Sequence, residues 1–308
     1  MLNRVIKNIE EYDVDVIECP TLRNLDNVKL KTNNVIINLF DVMDFKNEEL
    51  PLIQKLFPNK NILVITPHKY GDDVEYIDID FLWWDVYNQY DLEYDFQLES
   101  AIRDGKYFLR PKKFISYNNS EKIHRTRLKE FLERKDFIDD GWFSYKAWNF
   151  NDDSIQLDSL GEFIPSGKIN LGLHLTSYVS LCTETIFDSH DSLDNIFLSE
   201  KIYKCILGFQ PFILLGQYNT LDTMKKNGFK TFGNMWDEVY DVRRHNTDRL
   251  NSALDSIEYV LSKPRKEIHQ LYYDNIDVMI HNYRHYFKYR KKHSEYVKKR
   301  VIEWIEMH

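Results

Sequence analysis

The chain has 308 residues, of which 43% are hydrophobic and 15% aromatic, enough for a sizeable core and for two domains of roughly 150 residues each. Its formal net charge of −8 argues against a general binder of nucleic acid or anionic membranes, because phosphate groups attract positive surfaces. No stretch reaches the roughly 18 uninterrupted apolar residues of a membrane helix, and the charged first residues lack an apolar signal core, so we expect a cytoplasmic protein.

Metal and disulfide signals are weak. The three cysteines, Cys19, Cys182 and Cys205, are odd in number and lack zinc-site spacing, so we expect buried, reduced thiols. The DxD triplet with which many sugar transferases bind a metal occurs at 13–15 and at 78–80, but an acid-rich chain offers it by chance. The first triplet also lies at the start of a strand, which is the wrong end. We therefore assign no metal.

Apolar runs alternate with helical spacing in the first part of the chain. Strands are predicted at 14–19, 35–40 and 61–66, with helical spacing at 48–57. Strands that alternate with helices at this spacing are typical of a parallel sheet flanked by helices. The fold class that we predict is therefore α/β.

The later elements follow the same alternation. Strands are predicted at 107–109, 113–117, 178–182, 211–215 and 229–232, and helices at 121–134 (capped by Ser120), from 199 onward, at 221–227, at 248–261 and, as one or two helices, over 265–307. The stretch 141–172 has little regular pattern and holds Gly161, Pro165 and Gly167 as breakers. We place the domain connection there, which gives an N-terminal domain at 1–150 and a C-terminal domain with closing helices at 151–308.

The stretch 177–240 places polar residues after its predicted strands, where open α/β sheets bind ligands. Ser199 precedes a helix, so Lys201 would lie where backbone N–H groups and the helix dipole favour an anion, and Glu200 can accept hydrogen bonds from a ribose diol. Glu184 follows the strand 178–182 and can orient a sugar or a catalytic group. The alternative is an ordinary helix start with a solvated lysine and a loop acid.

Arg125 lies in the first turn of the helix predicted after Asn118. Cations favour the other end of a helix, so the helix dipole gives no reason for this arginine. An arginine near a helix N-terminus beside a strand end fits bidentate phosphate binding. Together with His124 and Arg127 it also fits a plain solvated face.

The segment 284–300 is basic and aromatic. Its basic residues include Lys288, Arg290, Lys291, Lys292, Lys298, Lys299 and Arg300, and aromatic residues lie between them. This mixture is compatible with binding of a nucleic acid or an anionic surface. The alternative is one helix with its aromatic face packed and its basic face in water.

Residues 178–216 resemble the donor-binding motif of the α1,3-fucosyltransferase family, roughly F-x-x-x-F-E-N-S, an acidic loop, Y-x-T-E-K, then A-x-x-x-G-x-x-P-V-x-x-G. The counterparts are Cys182-Thr183-Glu184-Thr185, Phe197-Leu198-Ser199-Glu200-Lys201 and the segment 208–216. Upstream, 114–119 followed by Arg125 is similar to the family's strand, S-N turn and arginine. Exostosin-like and uncharacterised viral or bacterial glycosyltransferases share a looser version of the pattern.

The resemblance covers about residues 107–242 and implies a GT-B fold, in which two Rossmann-like domains face each other across a cleft. It implies a hexosyl- or deoxyhexosyltransferase that moves a sugar from a GDP- or UDP-linked donor to a glycan or another hydroxyl acceptor, without a metal or other cofactor. Glu200 would hold the ribose, and Lys201 and Arg125 would hold the diphosphate and stabilise the leaving group. The donor site would also include Asn118, Glu184 and Ser199.

The chain departs from the family pattern at Phe197, Ser199 and Thr185, which replace Tyr, Thr and Asn, so neither the sugar nor the base is named. The general base would belong to the N-terminal half, where the candidates near strand ends are Asp41, His68 and Asp72. Two other functions remain open. One is a DNA-associated sugar transferase or nucleic-acid-binding protein that uses the basic tail, and the other is a GT-B scaffold without activity.

Overall fold

The computed structural model describes residues 9–19, 28–39, 53, 55–66, 75–78, 94–118, 120–145, 148–149, 154–156, 163–165, 169–188 and 196–308. The chain is an α/β protein with parallel sheets. It divides into two compact units, Met1–Asn88 together with Arg290–His308, and Gln89–Tyr289. Among the described residues, no helix is both long and apolar enough to cross a membrane.

In the first unit, the described strands form one parallel sheet. Its strands are β1 (Val14–Cys19), β2 (Asn34–Leu39), β3 (Asn61–Thr66) and β4 (Glu75–Asp78), which lie in that order. Both faces of the sheet are covered, as the apolar runs of its strands require. Ile36 and Ile65 pack with Trp304 from the C-terminal helix on one face, and Ile37 packs with Phe57 on the other.

The described residues of the second unit form two sheets. Its strands are β5 (Lys112–Ser116), β6 (Gly141–Phe143), β7 (Trp148–Asn149), β8 (Ser154–Gln156), β9 (Phe163–Pro165), β10 (Ser177–Thr183) and β11 (Phe212–Leu215). β7, β8 and β9 form a small antiparallel sheet. The main sheet is parallel, and its strands lie in the order β11-β10-β5-β6.

The α-helices are α1 (Phe96–Asp104), α2 (Ile123–Arg134), α3 (Leu171–Leu175), α4 (Glu200–Leu207), α5 (Thr220–Lys226), α6 (Asn246–Leu261), α7 (Arg265–Asp274) and α8 (Ile276–Met307). The helix α4 illustrates how the local sequence determines where a helix begins and which face it buries. The Ser199 hydroxyl accepts a hydrogen bond from the backbone N–H of Lys201 at 3.2 Å and so caps the helix. Ile202 and Ile206, one turn apart, are both buried.

The order of the main sheet places a topological switch point between β5 and β10. From β5 the chain moves outward to β6, then returns to β10 on the other side of β5 and continues to β11. Val179 lies opposite Phe114 and Ser180 opposite Ile115, so the carboxyl ends of the two strands meet at one edge. In open α/β sheets, ligands bind outside the strand ends at such a point.

Most local predictions agree with the structure. The strands predicted at 14–19 and 61–66 have the bounds of β1 and β3, and the segment 265–307 forms the two helices α7 and α8. The N-cap of α2 differs from the prediction, because it is Lys122 and it makes no side-chain capping bond. The hydroxyl of Ser120 instead accepts a hydrogen bond from Arg125 Nη1 at 2.7 Å.

Two predicted strands are wrong. Residues 107–109 form no strand, because Tyr107 ends the 3₁₀ turn Gly105–Tyr107 and Phe108 is 76% exposed. Residues 229–232 form no strand, and Phe232 is buried because it packs edge-on against Phe212, with ring centroids 5.0 Å apart. The aromatic residues that suggested strands are therefore exposed to solvent in the first segment and packed in the core without strand pairing in the second.

The division into units also differs from the boundary expected at residue 150. β5 and β6 were assigned to the first domain, but they pair in the same sheet as β10 and β11. The connection 141–172 contains β6 and the antiparallel sheet rather than a linker. The physical reason is strand pairing between segments distant in sequence, which local patterns do not reveal.

Candidate functional site

The site is built around the three residues at the carboxyl end of β10, Thr183, Glu184 and Thr185. Glu184 is fully buried, and its two carboxylate oxygens accept hydrogen bonds from the backbone N–H groups of Ser199 at 3.3 Å and Thr185 at 3.2 Å. Burial raises the pKa of Glu184, against the nearby charge of Lys201. Glu184 therefore joins the end of β10 to the start of α4, and its carboxylate is occupied by the backbone.

Arg125 extends from the first turn of α2 to the same strand end. Its Nη2 lies 3.4 Å from the carbonyl oxygen of Thr183 and 3.3 Å from that of Glu184, and its Nη1 donates to Ser120. The side chain is buried, and its Nε has no hydrogen-bond partner in the described part of the chain. Arg125 thus brings positive charge to the site while its Nη groups hold the two loops together.

Lys122 is a third contributor, which the sequence reasoning missed. Its Nζ donates to the carbonyl oxygen of Thr185 at 2.6 Å. Burial, together with the positive charges of Arg125 and Lys201, lowers the pKa of Lys122 to about 8. A lysine just before a helix carries no sequence signal for this role, because the role depends on where the other two cations lie.

Lys201 and Glu200 lie at the start of α4. Lys201 Nζ donates to Thr185 Oγ1 at 3.0 Å and lies 2.8 Å from Glu200 Oε1. Although burial acts to raise the pKa of Glu200, the charges of Lys201 and Lys204 lower it to about 2, so its carboxylate is ionised at neutral pH. The two side chains keep 19% and 21% of their surface exposed, so both can meet a ligand.

Asn118, also predicted at the site, lies inside the protein. Its side-chain oxygen accepts from Thr183 Oγ1 at 2.9 Å, and its amide nitrogen donates to Ser116 Oγ at 3.1 Å. Its backbone N–H donates to Ser144 Oγ at 3.0 Å. Asn118 therefore fastens the end of β5 to the end of β10 and presents no exposed surface.

The two basic neighbours of the buried arginine differ in their relation to the site. His124 stacks on Phe187 with ring centroids 4.9 Å apart, and its Nε2 donates to the carbonyl oxygen of Glu184 at 3.1 Å. Burial lowers the pKa of His124 to about 3. Arg127 is exposed and pairs with Glu130 at 3.0 Å. His124 therefore braces the backbone of the site as a neutral side chain, and Arg127 belongs to a solvated face.

A pocket that is open to solvent lies between the ends of β5 and β10 and the face of α4. Its lining includes Tyr117, His174, Cys182, Glu200, Lys201 and Lys204. Sequence reasoning missed Tyr117, His174 and Lys204, because only the pairing of β5 with β10 brings them together. The pocket lies at the switch point of the sheet, beside the start of α4.

The cysteines of the pocket are buried. Cys182 and Cys205 are free thiols, as predicted. A hydrogen bond with Cys205 and burial raise the pKa of Cys182 well above its ordinary value, so Cys182 stays protonated and poorly nucleophilic. The side chain of Cys19 lies outside the described residues.

The candidates for a general base, Asp41, His68 and Asp72, lie outside the described residues. In the first DxD triplet, Asp15 Oδ2 accepts hydrogen bonds from the backbone of Lys31 at 2.6 Å and of Thr32 at 2.7 Å. Its carboxylate ties β1 to the segment before β2. Within the described ranges, no three His, Cys, Asp or Glu residues are grouped as a metal site would require.

The basic tail forms part of α8, and its aromatic residues differ in exposure. Tyr286 is buried, and its ring lies 5.7 Å from that of Tyr203. Tyr296 is 47% exposed, and Lys291 and Lys292 are exposed as well. The helix therefore packs only part of its aromatic surface and leaves its basic side in water. A buried ring such as that of Tyr286 is not free to stack on bases, whereas that of Tyr296 is.

The chain matches no protein-family model, no curated protein and no solved structure. What supports a function is therefore the geometry at the switch point, together with the motif resemblance.

Proposed function

We propose that the chain is a glycosyltransferase that uses a nucleoside-diphosphate sugar and has the GT-B architecture. The observation that carries the proposal is the convergence of Lys122, Arg125 and Lys201 on the three residues 183–185. Three cations close enough to lower a lysine pKa attract an anion strongly, and this cluster lies at a switch point, where such sheets bind nucleotides.

In this proposal Lys201 and Lys122 contact the diphosphate. Both have nitrogen atoms held beside Thr185, and the start of α4 adds the positive end of a helix dipole. Arg125 adds positive charge while its side chain holds the backbone of Thr183 and Glu184 in place. Glu200 is ionised and partly exposed, so its carboxylate accepts hydrogen bonds from ribose hydroxyls.

The reaction is a displacement at the anomeric carbon of the donor. The acceptor hydroxyl oxygen forms the new bond, the bond from the anomeric carbon to the phosphate oxygen breaks, and the diphosphate leaves with the electron pair. The cations stabilise the negative charge that develops on the leaving group. A base takes the acceptor's proton, and Asp41, His68 and Asp72 remain the candidates for that base.

Isothermal titration with UDP and GDP tests the donor site. We expect at least one of them to bind, and Lys201→Ala to weaken binding about tenfold to a hundredfold, the effect of losing one charged hydrogen bond. Lys226→Ala is the matched control, because Lys226 is 75% exposed on α5 and is not among the residues that line the pocket. The proposal fails if neither nucleotide binds, or if Lys201→Ala binds as the wild type does.

Hydrolysis separates a transferase from a scaffold without activity. Glycosyltransferases that lack an acceptor transfer the sugar slowly to water, so we expect release of free sugar from a UDP- or GDP-sugar to exceed the uncatalysed rate. Lys201→Ala should lower this rate, and Lys226→Ala should not. Binding of the nucleotide without any hydrolysis would favour the scaffold.

A further inference from the structure

His174, on α3, is held in one tautomer by Gln210. The amide nitrogen of Gln210 donates to the carbonyl oxygens of His174 at 2.9 Å and Ser177 at 3.2 Å. Carbonyl oxygens only accept hydrogen bonds, so this fixes which end of the amide is which. The amide oxygen of Gln210 then accepts from Ser180 Oγ and lies 2.8 Å from His174 Nδ1.

It follows that Nδ1 of His174 carries the proton and that Nε2 presents a lone pair. Burial lowers the pKa of His174 to about 4, so the ring is neutral at pH 7. The residue is 1% exposed, and Nε2 has no hydrogen-bond partner among the described residues. A buried acceptor without a donor is destabilising, which makes Nε2 a site for an incoming donor.

A second such group lies beside it. The hydroxyl of Tyr117 is also buried without a partner among the described residues, and its ring centroid is 5.8 Å from that of His174. Both residues line the pocket that Lys201 and Lys204 also line. Gly208 packs against the Cγ–Nδ1 edge of His174, which leaves the Nε2 edge on the other side of the ring.

These groups select the kind of ligand. The Nε2 lone pair repels anionic oxygen, and the nearby lysine charges disfavour a cation, so a metal ion is not the expected partner. A neutral hydroxyl group can donate a hydrogen bond to Nε2, and its oxygen can accept one from the Tyr117 hydroxyl. The lysines at the same pocket suit an attached phosphate.

We propose that this pocket binds the hydroxylated part of a sugar phosphate, with one sugar hydroxyl donating to His174 Nε2 and the Tyr117 hydroxyl donating to a second sugar oxygen. The inference rests on the proposed function for the phosphate end, which meets Lys201. The hydroxyl end rests on the His174 and Tyr117 geometry alone.

The test is nitrogen NMR of the histidine side chains in the full chain, with His174 assigned by the His174→Gln variant. The free protein should show His174 as the Nδ1–H tautomer. Glucose 1-phosphate or ribose 5-phosphate, added to millimolar concentration, should shift its Nε2 signal, and inorganic phosphate should not. The proposal is overturned if neither sugar phosphate shifts the signal, or if inorganic phosphate shifts it equally.

Tyr117→Phe removes the buried hydroxyl that has no partner among the described residues, and it keeps the ring. We expect it to weaken binding of the active sugar phosphate about threefold to tenfold, the effect of one neutral hydrogen bond, without loss of stability. Tyr272→Phe is the matched control, because the Tyr272 hydroxyl is buried but already bonded to the Phe209 carbonyl at 2.6 Å. It should leave binding unchanged. Unchanged binding in Tyr117→Phe would contradict the role of this hydroxyl.

Lys201→Ala separates this inference from the proposed function. If the variant still shows the His174 shift with an undiminished affinity, the hydroxyl pocket stands and the phosphate assignment fails. If the variant loses sugar-phosphate binding but the wild type never shows a His174 shift, the phosphate assignment stands and the pocket inference fails.

Discussion

Lys122 lies beside two other cations, and this gives the donor site a pH dependence. Its pKa in the free protein is about 8, below its ordinary value of 10.5, and a bound diphosphate would raise it again. The charged form favours the anion, so nucleotide affinity should be highest below pH 8 and should fall as the pH rises above 8. Titration calorimetry with UDP or GDP at a series of pH values measures this.

The variant Lys122→Met should bind the nucleotide more weakly and lose most of that pH dependence.

The same lysine affects the stability of the fold in the opposite sense. Between pH 8 and 10.5 the unfolded chain holds the Lys122 proton more tightly than the folded chain, so this lysine makes stability rise with pH in that window. If nucleotide affinity depends on pH equally in the wild type and in Lys122→Met, another group causes that dependence, and the same holds for stability.

Gly208 illustrates how packing fixes a functional side chain. A Cβ at this position would lie 2.6 Å from Cγ and Nδ1 of His174, closer than atoms can approach. We expect Gly208→Ala to lower the free energy of unfolding by about 1–3 kcal/mol and to disturb the Nδ1 bond to Gln210. Denaturant unfolding measures the loss. Gly233→Ala, whose Cβ would have its nearest contact at 3.4 Å, should be close to neutral, and equal losses in both would contradict the packing argument.

At the scale of elements, the N-cap of α4 positions both Glu200 and Lys201. The Ser199 hydroxyl accepts from the Lys201 N–H at 3.2 Å, and Lys201 Nζ also reaches it at 3.4 Å. Ser199→Ala should therefore reduce stability by about 0.5–2 kcal/mol and weaken nucleotide binding. Thermal unfolding and titration calorimetry check the two effects. The exposed Ser262→Ala serves as control, and a Ser199→Ala protein as stable as that control would refute the capping role.

The elements that local patterns predict well are those with a local cause. β1 and β3 are short segments with several Val or Ile residues, each followed by proline, and α4 begins at a serine that caps it. The order β11-β10-β5-β6 was not predictable, because it depends on pairing between distant segments. That pairing also creates the switch point, so the pocket between β5 and β10 could not be derived from either strand alone.

The residues of the candidate site also divide into those that local patterns predict and those whose role depends on the fold. Glu200 and Lys201 were predicted from a helix start, and the structure leaves both partly exposed. Asn118 and Glu184 were predicted as ligands, but their polar atoms bond within the protein. Lys122 was missed because its chemistry comes from burial and neighbouring charge, neither of which the sequence displays.

At the scale of the whole molecule, the end of α8 completes the core of the first unit. Trp304 is 2% exposed and packs with Ile36 and Ile65 of its sheet. We expect Trp304→Ala to cost about 3–5 kcal/mol, because it leaves a large cavity. Hydrogen exchange should show faster exchange in β1, β2 and β3. Met307→Ala is the control, since Met307 is 69% exposed, and unchanged exchange in Trp304→Ala would contradict this packing.

We propose above that a nucleoside diphosphate binds at the switch point between β5 and β10. A crystal structure of the protein soaked with UDP or GDP tests this proposal. We expect diphosphate oxygens within hydrogen-bond distance of Lys201 Nζ and Lys122 Nζ, beside Thr185, with the ribose against Glu200. A nucleotide bound elsewhere on the chain, or none bound at a concentration that saturates the protein in solution, would contradict it.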